Sequence, residues 1–332
     1  MEFNKNRYNE MHYKRCGNSG LKLPRISLGL WHNFGGVDEY NNAREMIWQA
    51  FDLGITHFDL ANNYGPPVGS AEKTFGNILK STLASHRDEI VISTKAGHLM
   101  WDGPYGDGGS RKYLISSLDQ SLSRMGLDYV DIYYHHRPDN FTPIEESMYA
   151  LSTLVKQGKA LYVGLSKYDE KELDVALPIL KELKTPCIIH QARYSMIDRG
   201  LEENLFSRIE KEQMGCITFS PLAKGLLTNK YLTGIPSNSR AADKNSPFLT
   251  EADITEQRQV AFNQLNSIAI GRGQSLARMA LAWQLQKDVI TSVLIGASRA
   301  SQIVDCVGAL ENTAFNNDEI KEIDKICFNI MG

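Results

Sequence analysis

Five polar side chains follow three consecutive segments of this sequence that have the composition of β-strands. Asp59 ends the first segment and Tyr64 lies in the loop after it, Lys95 follows the second, and His135 and His136 follow the third. If the three strands are parallel neighbours, a carboxylate, a phenol, an ammonium group and an imidazole meet at one edge of the sheet.

This combination of groups suits the reduction of a carbonyl. Hydride addition produces an alkoxide that needs a proton, and Tyr64 can supply it, although a phenol with an ordinary pKa of about 10 is a weak acid. The ammonium group of Lys95 is expected to lower that pKa, and Asp59 can hold the lysine through a charge-assisted hydrogen bond. A histidine can donate a hydrogen bond to the substrate oxygen and polarise the carbonyl.

Two other interpretations compete with this one. Taken singly, a loop tyrosine is usually a half-exposed aromatic residue, and a lysine after a strand is usually solvated. Lys95 could also form a Schiff base with a carbonyl substrate, a reaction that occurs on barrels. That chemistry would leave Tyr64 without a purpose.

The elements that would position these groups alternate between strands and amphipathic helices. Eight strand-like segments are present, at 25–30, 56–59, 89–94, 129–134, 160–164, 187–191, 215–219 and 291–295. Eight strand–helix units in 332 residues predict a single-domain α/β fold, a (β/α)₈ TIM barrel, after an N-terminal tail of about 12 residues. Long loops at 97–110 and 222–251 are expected at its C-terminal face. An open doubly wound sheet is the alternative, but no Gly-x-Gly-x-x-Gly follows the first strand.

Composition excludes several classes of function. The chain is 42% apolar and 23% charged with a net charge of −3, which gives no reason to expect nucleic acid or a membrane as partner. Its five cysteines are widely spaced, so that no zinc site, other metal site or disulfide framework is predicted, and Cys187 and Cys216 are expected to be buried. The polar N-terminal segment predicts a cytoplasmic protein.

Six segments, in this order, resemble the aldo-keto reductase superfamily. They are Ser27-Leu-Gly-Leu-Trp31, Phe58-Asp-Leu-Ala-Asn-Asn-Tyr-Gly65, Ser93-Thr-Lys95, His136-Arg-Pro-Asp139, Gly158-Lys-Ala-Leu-Tyr-Val-Gly-Leu-Ser166 and Ser220-Pro-Leu-Ala-Lys-Gly225. Details at 161–164, 225–228 and 295–298 resemble the subgroup that contains bacterial L-glyceraldehyde 3-phosphate reductases and the β-subunits of voltage-gated potassium channels.

The resemblance implies a catalytic tetrad and a substrate pocket. Asp59, Tyr64, Lys95 and His136 would form the tetrad, with Tyr64 as proton donor, and the adjacent His135 is expected to be structural. Beside Tyr64 and His136, the aromatic side chains of Trp31 and Trp101 are candidates for the wall of the pocket that holds the small carbonyl substrate. Relatives in the subgroup assemble as tetramers or octamers, so that a homo-oligomer is possible.

The resemblance also implies NADPH as cofactor, with its successive parts contacting different strand ends and loops of the barrel. Ser166 and Gln191 would hold the nicotinamide carboxamide, and Phe219 would stack on its ring. Ser220, Leu222 and Gly225 would line the pyrophosphate. The positions implied for the adenosine end and its 2′-phosphate are Lys230, Arg240, Ser298, Arg299, Gln302 and Asp305. The remaining implied cofactor contacts are Gly29, Leu30, Trp31, Asp59 and Gly296.

A cofactor-sensing regulatory subunit is the rival interpretation. The channel β-subunits resemble this chain but have Asn where this chain has His136. Retention of the histidine favours an active reductase that converts an aldehyde, a ketone or a triose phosphate such as L-glyceraldehyde 3-phosphate to an alcohol.

Overall fold

Eight parallel strands close into a barrel, which confirms the predicted (β/α)₈ fold. The computed structural model describes residues 2–237, 239–242 and 249–330. The barrel strands are β3 (Ile26–Gly29), β4 (His57–Asp59), β5 (Val91–Ala96), β6 (Val130–His135), β7 (Ala160–Ser166), β8 (Cys187–Arg193), β9 (Gly215–Phe219) and β10 (Ile290–Ile295). Each pairs with the next along the chain, and β10 closes the ring on β3.

An antiparallel hairpin precedes the barrel and was not predicted. Its strands are β1 (Tyr13–Arg15) and β2 (Lys22–Pro24), which lie between the predicted tail of about 12 residues and the first predicted strand at 25–30. Cys16 and Leu23 of the hairpin are fully buried and belong to one cluster with apolar barrel-strand side chains such as Ile132 and Ile189. The hairpin thereby covers the amino-terminal end of the barrel, opposite the predicted site.

Helices surround the barrel and bury the outer face of the sheet, and all but α1 come after the first barrel strand. They are α1 (Arg7–Glu10), α2 (Tyr40–Asp52), α3 (Ser70–Ile78), α4 (Arg111–Met125), α5 (Ile144–Lys156), α6 (Glu170–Glu182), α7 (Leu205–Lys211), α8 (Glu256–Gly271), α9 (Leu276–Leu285), α10 (Ala300–Val307) and α11 (Asn317–Phe328). None of them, within the described residues, has the length and apolar character needed to cross a membrane.

Local signals set several helix ends. Asp169 begins α6 with a capping box to Glu172, and Gly126 ends α4 in the left-handed region at φ 68°. Gly271 is the last residue of α8, and Gly273 adopts the left-handed conformation at φ 69°.

The predicted loops and cysteines fall largely as expected. Residues 97–110 contain no helix or strand. Within the described residues of 222–251, short 3₁₀ helices occur at Ala223–Gly225, Asn229–Tyr231 and Arg240–Ala242, and another begins at Glu251; residues 238 and 243–248 lie outside the described residues. All five cysteines are buried and unpaired, as predicted for Cys187 and Cys216. No group of metal-ligating side chains occurs in the described ranges.

Buried neutral histidines make the stability of this barrel depend on pH. Burial lowers the pKa of His57, His135 and His190 from 6.5 to about 4 each. Between these values the unfolded chain binds more protons than the folded chain. The free energy of unfolding should therefore fall as the pH falls from 6.5 towards 4, by about 1.4 kcal/mol per pH unit for each histidine.

Urea unfolding at several pH values within this interval measures the effect. His190→Asn should flatten the pH dependence by about one proton, whereas His12→Gln, at an exposed position, should not. A wild-type free energy of unfolding that is constant across the interval would contradict the expectation.

Candidate active site

The carboxyl ends of all eight barrel strands supply residues to one rim. Gly29, Asp59, Ser166 and Phe219 are each the last residue of a strand, and Lys95 is the last but one in β5. His136 directly follows β6, Gln191 lies near the end of β8, and Gly296 follows β10. Parallel pairing, with Gly29 opposite Asp59 and Ser166 opposite Gln191, brings these positions to the same level.

Asp59 and Lys95 form a fully buried ion pair at the floor of this rim. The Lys95 Nζ donates to Asp59 Oδ2 at 2.5 Å and to the carbonyl oxygen of Leu60 at 2.5 Å. Burial lowers the pKa of Lys95, and the adjacent Asp59 carboxylate opposes that shift. The pair is oriented by its hydrogen bonds, so that the remaining Lys95 proton is available to a group above it.

Tyr64 lies over this pair, and the structure corrects one expectation about it. The Lys95 Nζ is 5.1 Å from the centre of the Tyr64 ring, so that the two groups do converge. However, burial, with a contribution from the Asp59 carboxylate, raises the pKa of Tyr64 well above 10, where the sequence analysis expected Lys95 to lower it. The expectation ignored desolvation, which here outweighs the attraction of the ammonium group for a phenolate. Tyr64 is consequently a protonated phenol at neutral pH.

His136 faces Tyr64 across the rim, whereas His135 points elsewhere. The ring of His136 lies 6.1 Å from that of Tyr64, centre to centre, and 4.4 Å from that of His98. Burial, followed by the charge of Lys95, lowers the pKa of His136 well below 6.5, so that its imidazole is neutral and can donate one hydrogen bond. His135 instead shares a 2.6 Å hydrogen bond with the hydroxyl of Tyr168.

A chain of hydrogen bonds inside the barrel ends at Asp59, and sequence reasoning missed it. Ser93 Oγ donates to Asp59 Oδ1 at 2.6 Å, and the chain continues through His57 and Ser27 to Ser292, with contacts of 2.9, 2.9 and 2.7 Å. Because Ser93 gives its proton to the carboxylate, it must accept from His57 Nε2–H. His57 Nδ1 then accepts from Ser27, which accepts from Ser292. The available signal was a polar residue within each of four apolar strands.

The residues predicted to hold the nicotinamide fit such a ring. The hydroxyl oxygen of Ser166 is buried without a hydrogen-bond partner among the described residues, as expected of a group that awaits a ligand. The Gln191 amide is buried beside it and donates to Asp59 Oδ1 at 3.2 Å. Phe219, at the end of β9, is half-buried and can offer a ring face.

Several residues of the predicted pyrophosphate loop have left-handed backbone. Ser220, Ala223, Lys224 and Gly225 all have positive φ, at 55°, 47°, 62° and 102°. Left-handed backbone costs a non-glycine residue about 1–3 kcal/mol and concentrates at ligand sites. Backbone N–H groups in turns of this kind can converge on an anion. Leu222, at φ −99° and ψ 19°, lies within this segment.

The residues predicted to contact the adenosine end of the cofactor lie in several segments of the chain and, within the described part of the structure, do not form one cluster of contacts with each other. Arg240 and His32 lie on the lining of a polar cleft of about 430 Å³, beside Trp31. The side chain of Gln302 accepts from the Ser298 N–H at 2.8 Å, and Arg299 Nε donates to Ser301.

Asp305 and Lys230 were also predicted to contact the adenosine end of the cofactor, and their hydrogen bonds in the structure involve other protein residues. Both carboxylate oxygens of Asp305 already accept hydrogen bonds, from Arg278 and Ser275. An adenine contact by Asp305 would have to compete with that ion pair. Lys230 is exposed, and its backbone N–H donates to Thr228 Oγ1.

The two tryptophans that were predicted to line the substrate pocket have different neighbours in the structure. Trp31 is 41% exposed and stacks on Tyr64 with ring centres 6.0 Å apart, so that it borders the tetrad. Trp101 packs against Tyr113 of α4 instead of against a tetrad ring. Leu30, one of the implied cofactor contacts, is fully buried.

A barrel with a buried Asp–Lys pair beneath a tyrosine, and a histidine opposite, defines a class of oxidoreductase. The model of the aldo/keto reductase family matches residues 25–327, and the chain belongs to that family. Membership implies a nicotinamide cofactor, and the buried Ser166 hydroxyl and the positive-φ residues within 220–225 are compatible with one.

Three relatives show which members of the family this chain is similar to. The chain is 53% identical over 325 residues to the L-glyceraldehyde 3-phosphate reductase of Escherichia coli (strain K12), covering 97% of this chain and 94% of the relative. It is 52% identical to the protein of the same name in Escherichia coli O157:H7, with the same coverage. A probable voltage-gated potassium channel subunit beta of Oryza sativa subsp. japonica is 35% identical over 321 residues, covering 95% of each chain.

Proposed function

We propose that this protein, acting as one barrel domain, reduces aldehydes to alcohols with NADPH, including triose phosphates such as L-glyceraldehyde 3-phosphate. The observation that carries the proposal is the fully buried Asp59–Lys95 pair directly below Tyr64, with neutral His136 on the facing side. The relatives from Escherichia coli support the inclusion of triose phosphates.

Each tetrad residue has a role that follows from its state in the fold. NADPH supplies the hydride. The neutral His136 donates a hydrogen bond to the carbonyl oxygen, which polarises it as negative charge develops. Tyr64 then gives its proton to the alkoxide, and an alkoxide is so much stronger a base than a phenolate that the raised pKa of Tyr64 does not prevent the transfer. Lys95, held by Asp59, stabilises the phenolate that remains.

An assay of NADPH oxidation with a panel of aldehydes, run beside NADH, tests this proposal. Turnover of several aldehydes with NADPH is expected. His136→Asn, which introduces the residue of the channel β-subunits, should lower kcat by about 10²–10³, the usual effect of losing a polarising donor. Tight NADPH binding without turnover of any aldehyde would overturn the reductase and favour a cofactor sensor.

Cofactor preference should depend on Arg240 and Arg299. Arginine binds phosphate with paired donors, and a hydrogen bond to a charged group is worth about 1.5–3 kcal/mol. Arg240→Ala or Arg299→Ala should therefore raise the Kd for NADPH by at least about tenfold, with little change in the Kd for NADH, in fluorescence titrations. Lys181→Ala, an exposed lysine on α6, is the control. An equal loss for both cofactors would contradict recognition of the 2′-phosphate.

A further inference from the structure

Three cations border the rim near His136, and they differ in how they are paired. Arg137 forms an ion pair with Asp107 at 3.0 Å, and Arg193 forms one with Asp198 at 2.6 Å. Lys167 has no carboxylate within ion-pair distance in the described part of the chain. It follows Ser166 at the end of β7, and its side chain is partly exposed.

The backbone fixes Lys167 in an uncommon conformation. Its φ is 60°, and its N–H donates to the Gln191 carbonyl oxygen at 3.1 Å, which joins it to β8. A lysine gains nothing from left-handed backbone, whereas asparagine and glycine adopt it readily. Such strain is retained where the surrounding structure holds it, most often at functional sites.

A neutral histidine holds the Lys167 ammonium group close to the rim of the barrel. The Nζ is 3.1 Å from His98 Nε2 and 5.9 Å from the centre of the Phe219 ring. Burial, followed by the charge of Lys167, lowers the pKa of His98 to about 4, so that its neutral ring accepts a hydrogen bond from the ammonium group at Nε2. The ring of His98 in turn lies 4.4 Å from that of His136.

Lys167 keeps unused N–H donors, and its positive charge has no carboxylate partner in the described part of the chain. A lysine has three N–H donors, and one is used by His98. Burial, followed by the charges of Lys95, Arg137 and Arg193, lowers the pKa of Lys167 to about 8. An anion placed there would relieve the repulsion among these cations and accept the remaining hydrogen bonds.

We propose that Lys167, anchored by His98, binds the anionic group of a charged aldehyde whose carbonyl lies between Tyr64 and His136. The proposal rests on the reductase function proposed above and makes Lys167 a determinant of substrate specificity. His98 touches both His136 and Lys167, so that a short aldehyde with a terminal phosphate or carboxylate can reach from the tetrad to the ammonium group.

The test compares kcat/KM for L-glyceraldehyde 3-phosphate and for L-glyceraldehyde, which differ only in the phosphate. Wild-type protein should prefer the phosphorylated aldehyde, and the preference should shrink with added salt, because a partly exposed ion pair is screened. Lys167→Asn tolerates the left-handed backbone and removes the charge. It should lower the preference by about tenfold or more, while Lys167→Arg restores most of it.

Controls separate the possible failures. Lys171→Asn, at an exposed position on α6, should leave the preference unchanged. If Lys167→Asn instead raised the KM for NADPH and lowered kcat/KM equally for both aldehydes, Lys167 would serve the cofactor and the proposal would fail. Wild-type turnover of L-glyceraldehyde without any preference for the phosphate would also overturn it and leave the reductase intact. Turnover of neither aldehyde would overturn the reductase itself.

Discussion

Replacing Tyr64 with Phe is expected to lower kcat for every aldehyde by about two to four orders of magnitude, the range for the loss of a positioned acid. The Kd for NADPH should hardly change, because the ring, and with it the stacking on Trp31, is retained. Steady-state assays and cofactor titrations on the same preparation measure the two quantities.

Tyr134→Phe is the matched control for that variant. The Tyr134 ring lies 5.7 Å from the same Lys95 Nζ, but on β6 inside the barrel, so that this variant should keep most of its kcat. Reduction of aldehydes at the wild-type rate by Tyr64→Phe would refute the assignment of the proton donor.

Lys95→Met is expected to damage both stability and catalysis. Removing one member of a buried ion pair leaves the other charge uncompensated, which costs about 3–5 kcal/mol of unfolding free energy. Asp59 would be left in that state at a fully buried position. The phenolate of Tyr64 would also lose its stabilising cation, so that kcat should fall steeply. Urea unfolding and steady-state kinetics measure the two losses.

A second variant separates the two effects. In Lys95→Met/Asp59→Asn no buried charge is left unpaired, and the stability should recover by about the same 3–5 kcal/mol while kcat stays low. If Lys95→Met unfolded at the wild-type urea concentration, the two groups would not form an ion pair in the folded protein.

The barrel and the convergence of the tetrad were predictable because both follow from local patterns. Apolar segments at regular spacing predicted all eight barrel strands. Since active-site residues lie at the carboxyl ends of such strands, Asp59, Lys95 and His136 could be placed together. The N-terminal hairpin was missed because its strands have only three residues each.

Properties set by packing were not predictable from the same patterns. The direction of the Tyr64 pKa shift depends on how completely the ring is desolvated, which no spacing reveals. Ser27, His57 and Ser292 are far apart in the sequence, and only the register of the closed sheet joins them. The special position of Lys167 depends on a backbone angle and on His98 from another loop.

Because serine and histidine residues are joined in a chain beneath Asp59, a substitution at one of them can affect groups that it does not touch. Each member uses its proton to satisfy the next, so that the orientation of the carboxylate depends on groups that touch no ligand. Losing the hydroxyl of Ser292 would remove the donor to Ser27, so that the Ser27 hydroxyl is fixed by one hydrogen bond in place of two and holds His57 less firmly. A conservative change on β10, far from the reacting carbonyl in the chain, would thereby loosen the orientation of the Asp59 carboxylate.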